Sequence, residues 1–285
     1  MHPIVRLEKV SRCFGKVRAL DELSLEVREG EIYGFLGRNG AGKTTTLRIL
    51  IGILKPDAGN IDLFGSRVRR VTVPLKQRMG YVSQEPNFYP WMTAEQLGRF
   101  VGGFYPTWDA VEFRRLMKLL DIPERRRSVE LSVGTRAKLG LTLALASRPS
   151  LLLLDEPTAG LDPVARREFN DQLAHLHRER GTTVLLSSHQ VVEVEQLAQR
   201  VGIVQSGRAC FEGDTVTLRA QVRKVTAPAP SGLPEGFERV RGNIYRADRE
   251  RWETSVWPEG TQISILSLEE IFLAFARTDD GAPGS

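Results

Sequence analysis

"GRNGAGKT", residues 37–44, decides how the rest of the chain is read. It fits the pattern G-x-x-x-x-G-K-[ST], with Gly37, Gly42, Lys43 and Thr44 at the fixed places. Before it lies the apolar run "EIYGFL" (31–36), patterned as a strand, and after it "TTTLRILIGIL" (44–54), spaced as a helix that stops before Lys55-Pro56. Strand, glycine-rich turn and helix are the context a phosphate cradle needs. The glycines let backbone N–H groups wrap the phosphates, and the first N–H groups of the helix have no partner within it. Lys43 reaches the terminal phosphates and Thr44 offers a hydroxyl to Mg²⁺. Arg38, Asn39, Gly40 and Ala41 inside the loop, and Thr45 just after it, complete the candidate phosphate contacts.

Working outward, residues 4–36 alternate apolar and polar positions and predict strands. "GNIDLFG" (59–65) and "RMGYVSQ" (78–84) predict two more. From about Pro86 to Ser147 the pattern turns mostly helical, with a capping box at Thr93–Gln96 and helical spacing in "DAVEFRRLMKLL" (109–120). Then "SLLLLDE" (150–156) reads as a buried strand, "ARREFNDQLAHLHRER" (165–180) as a helix and "TTVLLSSH" (182–189) as a strand. "QVVEVEQLAQR" (190–200) and "VGIVQSG" (201–207) continue as helix and strand. Such alternation predicts an α/β fold with a parallel sheet covered on both faces.

Composition changes near Leu218. Residues 225–236 are rich in Pro and Gly, "FERVRGNIYRAD" (237–248) predicts a hairpin turning at Gly242-Asn243, and Ser267–Glu270 forms a second capping box. Behind that box Leu268, Ile271, Phe272 and Phe275 make one helical stripe. The expected division is a phosphate-binding α/β domain over 1–218 with a helical subdomain at about 86–147, a small α+β appendage over 219–277, and a frayed tail over 278–285.

The bulk composition narrows the class. A chain of 285 residues that is 41% hydrophobic can bury a real core, and a net charge of +5 suits nucleotides, nucleic acid or anionic headgroups without choosing among them. The two cysteines, Cys13 and Cys210, are far apart and outside any C-x-x-C spacing, so neither a disulfide framework nor a zinc site is expected. "MHPIVRLEKV" lacks the apolar core of a signal peptide, and no run approaches the ~18 apolar residues a membrane helix requires. If the chain works at a membrane, something else must hold it there.

Further candidates lie downstream of the loop. "LLLLDE" ends an apolar strand in two carboxylates, and in a P-loop fold such a strand end points at the phosphate crevice. Asp155 is then the candidate Mg²⁺ carboxylate and Glu156 the group that polarises the attacking water. Gln84 at a strand end is a candidate to orient water or metal, His189 to reach a γ-phosphate, and Phe14 to stack on a base. "LSVGTRAKLGL" (131–141) is a second anion site by its chemistry, since Ser132 can cap a helix and Gly134 leaves room at its start.

Phe14, the loop 37–44, Gln84, "LSVGTR" (131–136), "LLLLDEP" (151–157), "GLDP" (160–163) and His189 follow one another in order. In that order and spacing the chain resembles the nucleotide-binding subunit of an ATP-binding cassette transporter over about residues 3–215. The resemblance implies a P-loop ATPase core with a mixed sheet, an N-terminal antiparallel part and a helical subdomain. It makes Phe14 the adenine-stacking aromatic, Gln84 the Q-loop residue, Glu156 the catalytic base, Asp162 the D-loop aspartate and His189 the switch histidine. "LSVGTR" is then the signature loop, with Val133 where glycine is usual and Thr135 where glutamine is; Arg38 stands for the usual proline of the phosphate loop.

ATP and Mg²⁺ are the implied cofactors. The implied partners are a second ATPase subunit and polytopic permease chains, which place the protein on the cytoplasmic face of the membrane. "FYPTWD" (104–109) and the closing "SLEEIFLAFAR" (267–277) resemble exporter-type cassettes with separate membrane subunits. Two alternatives stand beside ATP-driven transport. One is a soluble cassette ATPase acting on nucleic acid or ribosomes, kept alive by the basic charge and "ERRR" (124–127). The other is a regulatory cassette without turnover, against which Glu156 and His189 argue. A single phosphate loop and no sustained heptad run favour transport, with no nucleic-acid partner expected.

Overall fold

The computed structural model describes residues 3–226 and 236–276, so the predicted tail at 278–285 and most of the Pro/Gly-rich stretch lie outside the described residues. Strands β1 (Pro3–Phe14), β2 (Val17–Arg28), β4 (Ala58–Leu63) and β5 (Ser66–Arg67) form an antiparallel sheet in the order β2-β1-β4-β5. A second sheet contains β3 (Ile32–Leu36), β6 (Met79–Val82), β7 (Leu151–Asp155), β8 (Thr183–Ser188), β9 (Arg200–Gln205) and β10 (Arg208–Asp214), in the order β10-β9-β3-β8-β7-β6. All its pairings are parallel except β9–β10. The expected parallel sheet is therefore present with one antiparallel edge.

Strands β3, β7 and β8 are buried along their whole length, which is why they read as largely apolar runs. Along β7, Leu152 and Leu154 enter one core while Leu151 and Leu153 enter the other. The first core is roofed by helices α5 (Val133–Ala146), α6 (Pro163–Arg180) and α7 (Val191–Leu197). The second is closed by α1 (Lys43–Leu50) and the antiparallel sheet. Helix α1 is shorter than its apolar pattern predicts. Gly52 takes φ +70°, its N–H bonds Ile49 O at 3.0 Å and Ile53 N–H bonds Arg48 O at 2.8 Å, which is a Schellman stop.

After the single turn of α2 (Val73–Lys76) and strand β6, helices α3 (Ala94–Gly102) and α4 (Ala110–Leu119) build the helical subdomain. The capping box at Thr93 is made, and Asp109 caps α4. Helix α5 is apolar nearly all round because it serves two cores: Leu139 and Leu143 pack with α3 and α4, while Leu141 and Leu145 face the main sheet.

The C-terminal elements are α8 (Thr215–Gln221), β11 (Val222–Thr226), β12 (Glu238–Arg241), β13 (Ile244–Arg246), α9 (Arg249–Thr254), β14 (Gln262–Ile265) and α10 (Leu268–Ala276). The predicted hairpin at Gly242-Asn243 joins β12 to β13. Ser267 and Glu270 exchange the two capping bonds at 3.2 and 2.8 Å. The antiparallel sheet β12-β13-β11-β14 carries its own small core on Tyr245 and Trp252. Leu218, Val222, Leu268, Ile271 and Phe272 instead join the core of the main sheet, so α10 is fixed against α7 and β9.

Candidate functional site

The phosphate loop is shaped by what surrounds it. Gly40 and Gly42 take φ +81° and +107°, and a Cβ on Gly42 would stand 2.7 Å from Ala19 O, so only glycine fits there. Gly42 is the N-cap of α1, whose first N–H groups open into the loop. Lys43 is buried, and its Nζ donates to Gly37 O at 2.7 Å and Arg38 O at 3.1 Å. It also pairs with Glu156 Oε1 at 2.9 Å. Arg38, Asn39, Gly40, Ala41 and His189 line one side of a cleft of about 590 Å³ whose other side includes Phe272 and Leu273 of α10.

The end of β7 meets this loop as the sequence predicts. Thr44 Oγ1 donates to Asp155 Oδ1 at 3.0 Å, and Glu156 Oε2 stands 2.7 Å from His189 Nδ1. Glu156 holds φ +47°, a costly conformation for a residue with a Cβ, stabilised by its N–H reaching Ser187 O at 3.1 Å. Two partners of Asp155 escaped the sequence reading. Ser187 Oγ donates at 2.9 Å and Tyr81 OH lies at 3.4 Å, bringing three hydroxyls onto one buried carboxylate. Burial, then the charge of Asp155, pushes the Tyr81 phenol up to about 12.

The remaining candidates stand apart from that centre. Phe14 ends β1 with its ring largely exposed and the Arg12 guanidinium 4.9 Å from its centroid. Gln84 lies in a second groove of about 600 Å³, with Val133, Arg136 and Gly160. Among the described residues no hydrogen bond joins Gln84 to Thr44 or Asp155. Ser132 caps α5, accepting from Thr135 N at 3.1 Å, and Asp162 caps α6, accepting from Val164 N and Ala165 N at 2.9 Å each. Gly134 has ordinary room: a Cβ there would meet only Leu161 Cδ2, at 3.5 Å.

"NFYPWM" (87–92) divides in the structure. Phe88 and Met92 pack into the core of the helical subdomain. Tyr89 and Trp91 are exposed and continue through Phe100 to Phe104 as a surface ladder, with ring centroids 5.2, 5.5 and 5.3 Å apart.

This fold and loop geometry have many counterparts. A family model described as ABC transporter matches residues 20–159. The bacitracin transport ATP-binding protein BcrA of Bacillus licheniformis is 34% identical over 229 residues, covering 79% of this chain and 74% of that protein. The linearmycin resistance ATP-binding protein LnrL of Bacillus subtilis is 32% identical over 292 residues, covering 93% and 94%. Among solved structures, the dimeric ATP-binding cassette MJ0796 in a post-hydrolysis state with ADP and Pi superposes with a TM-score of 0.65 at 25% identity, covering 74% of this chain and 98% of that one. The chain belongs to the ABC transporter family, as one of its ATP-binding, ATP-hydrolysing subunits.

Proposed function

We propose that this chain binds Mg²⁺-ATP at residues 37–45 and hydrolyses it with Glu156 as the base, to drive export through separate membrane chains. The observation that carries the reading is the convergence of Lys43, Thr44, Asp155, Glu156 and His189 on one loop. A magnesium ion fits this donor set. Among the described residues there is no cluster of three or more metal-ligating side chains, and Thr44 with Asp155 offers the hydroxyl and single carboxylate that Mg²⁺ accepts beside nucleotide phosphates. When bound, the ion would neutralise developing charge on the phosphates. His189 holds the Glu156 carboxylate in place. Phe14 offers a face for adenine.

The second anion site supports action in a pair. Val133, between Ser132 and Gly134, lines a different groove from the phosphate loop, and among the described residues nothing requires a glycine at 134. A ligand arriving from outside does, which suits the phosphates of ATP held by a second ATPase subunit packed head to tail. Gln84 lines that same groove, as does Gly160, two residues before Asp162. The ladder from Tyr89 to Phe104 supports docking of a membrane subunit, since exposed aromatics of this density suit a partner's apolar helix. No described helix is long and apolar enough to cross a membrane, so those partners would hold the chain peripherally at the cytoplasmic face. In this reading 1–218 is the ATPase unit and 219–277 its appendage. The bacitracin transport relative supports a transport task, and similarity to a Nod factor export ATP-binding protein supports the outward direction.

Reconstitution tests this. With its membrane subunits in vesicles, the chain should support ATP-dependent export that Glu156→Gln abolishes. ATP hydrolysis with no transport of any substrate in complex with polytopic chains would overturn the transport reading.

A further inference from the structure

A buried glutamate lies behind the catalytic pair. Glu193, in the first turn of α7, is 2% exposed, yet both its oxygens are engaged. Oε2 accepts from Ser188 Oγ at 2.6 Å, and Oε1 accepts from Thr158 Oγ1. The Arg166 guanidinium of α6 is the cation that faces it, Nε 4.0 Å from Oε1, while Arg166 Nη2 donates to Leu161 O at 3.1 Å.

The two hydroxyls belong to the two loops that carry the proposed chemistry. Ser188 precedes His189, and its Oγ also accepts from Gln190 N at 2.9 Å, so the relay from Gln190 N–H through Ser188 to Glu193 closes the turn around His189. Thr158 lies two residues beyond Glu156. Its carbonyl accepts from Leu161 N at 3.1 Å, while Ala159 N bonds Glu156 O at 3.0 Å, so Thr158 anchors the loop that runs on to Asp162. One carboxylate thus joins both loops from behind.

We infer that Glu193 is a positioning residue that sets the contact between Glu156 and His189. It touches neither nucleotide nor reacting atoms. A buried carboxylate is costly to retain and is kept only where its bonds are made, and here both bonds come from side-chain hydroxyls of the segments that carry Glu156 and His189. Loosening either loop by about an ångström would cost turnover on the order of 100-fold, by the usual sensitivity of catalysis to placement. The inference rests on the proposed roles of Glu156 and His189.

The test compares Glu193→Leu, Glu193→Gln and Thr158→Val with wild type, measuring kcat, KM and binding of a fluorescent ATP analogue. Glu193→Leu should lower kcat by about 10- to 100-fold with nucleotide affinity within about twofold. Glu193→Gln, which keeps one acceptor and can offer its amide to Ser188, should recover most of the loss. In a His189→Ala background Glu193→Leu should produce no further fall in kcat. Should Glu193→Leu not fold, Thr158→Val removes one anchor at nearly constant volume and should lower kcat while sparing affinity. Wild-type kcat in soluble Glu193→Leu, or in Thr158→Val where that variant is the one measured, overturns the inference. So does an undiminished further fall beside His189→Ala. If Glu156→Gln itself keeps full turnover, the proposed roles fail first, and that single control separates the two failures.

Discussion

Lys43 Nζ sits 2.9 Å from Glu156 Oε1, with both side chains more than nine-tenths buried. The lysine proposed for the terminal phosphates and the carboxylate proposed for the attacking water thus form an ion pair. In the proposed mechanism a terminal phosphate competes with Glu156 for Lys43, while Glu156 keeps its contact with His189 at 2.7 Å. Glu156→Gln removes the competing charge and the base together. Its turnover should fall by about 10²–10⁴-fold, the usual contribution of a general base, while ATP binding is retained or strengthened. Size-exclusion chromatography with ATP should show the variant shifted toward dimer. Near-normal phosphate release would remove Glu156 from its role.

Asp155 is positioned by three hydroxyls, and only Thr44 among them also faces the phosphate loop. Thr44→Val should raise the Mg²⁺ concentration needed for half-maximal ATPase by about tenfold or more while leaving Asp155 its bonds to Ser187 and Tyr81. Metal-free nucleotide binding should change little. An unchanged Mg²⁺ dependence would place the ion elsewhere.

The Tyr81 phenol, raised from 10.0 to about 12, ties stability to high pH. Below the unfolded value both states carry the proton and the contribution is intact. Between about 10 and 12 the unfolded chain releases the proton first, so folding stability falls as pH rises through that window. Denaturant midpoints of wild type should drop there more than those of Tyr81→Phe. Equal slopes for the two proteins would mean that Tyr81 titrates normally.

The exposed and buried halves of "NFYPWM" should separate on mutation. Phe88→Ser loses core contacts and should cost about 1–3 kcal/mol, less than the roughly 3–5 of a fully buried Phe. Trp91→Ser and Phe104→Ser touch only the surface ladder, so the isolated subunit should keep its stability and ATPase but lose association with membrane chains. Unfolding of Trp91→Ser would make the ladder structural.

The main sheet, both capping boxes and the approach of the β7 end, with Asp155 and Glu156, to the phosphate loop were legible because each depends on local pattern or on a motif with fixed geometry. The end of α1 was misplaced because Gly52 stops a helix whose apolar spacing runs on to Leu54. Tyr81, Thr158 and Glu193 gave no signal of their own, and Ser187 only a weak one. Their roles arise from strand pairings such as Asp155 with Ser187, between segments more than thirty residues apart in the chain. "LLSSH" carried the one usable hint, since two hydroxyls at the buried end of a strand need acceptors. The aromatic stretch was ambiguous for the same reason: alternation within six residues does not say which face meets Phe100.

Completion of the site in trans gives the sharpest test of the second anion site. Lys43→Ala empties its own phosphate loop but leaves its Ser132–Gly134 loop intact. Gly134→Asp does the reverse, and the new Cβ has room in its own chain, 3.5 Å from Leu161 Cδ2, so the variant should fold. Its carboxylate would repel an arriving γ-phosphate by about 4 kcal/mol per unit charge at ~4 Å and an effective dielectric of ~20. Each variant alone forms dimers with no complete site. Mixed, the heterodimer pairs the intact Lys43 of one chain with the intact Gly134 of the other, which makes one complete site. ATPase should reappear in the mixture at a fraction of the wild-type rate and rise with protein concentration. A mixture as inactive as its components, with heterodimers demonstrated, would show that Ser132 and Gly134 serve something other than the ATP of a second subunit.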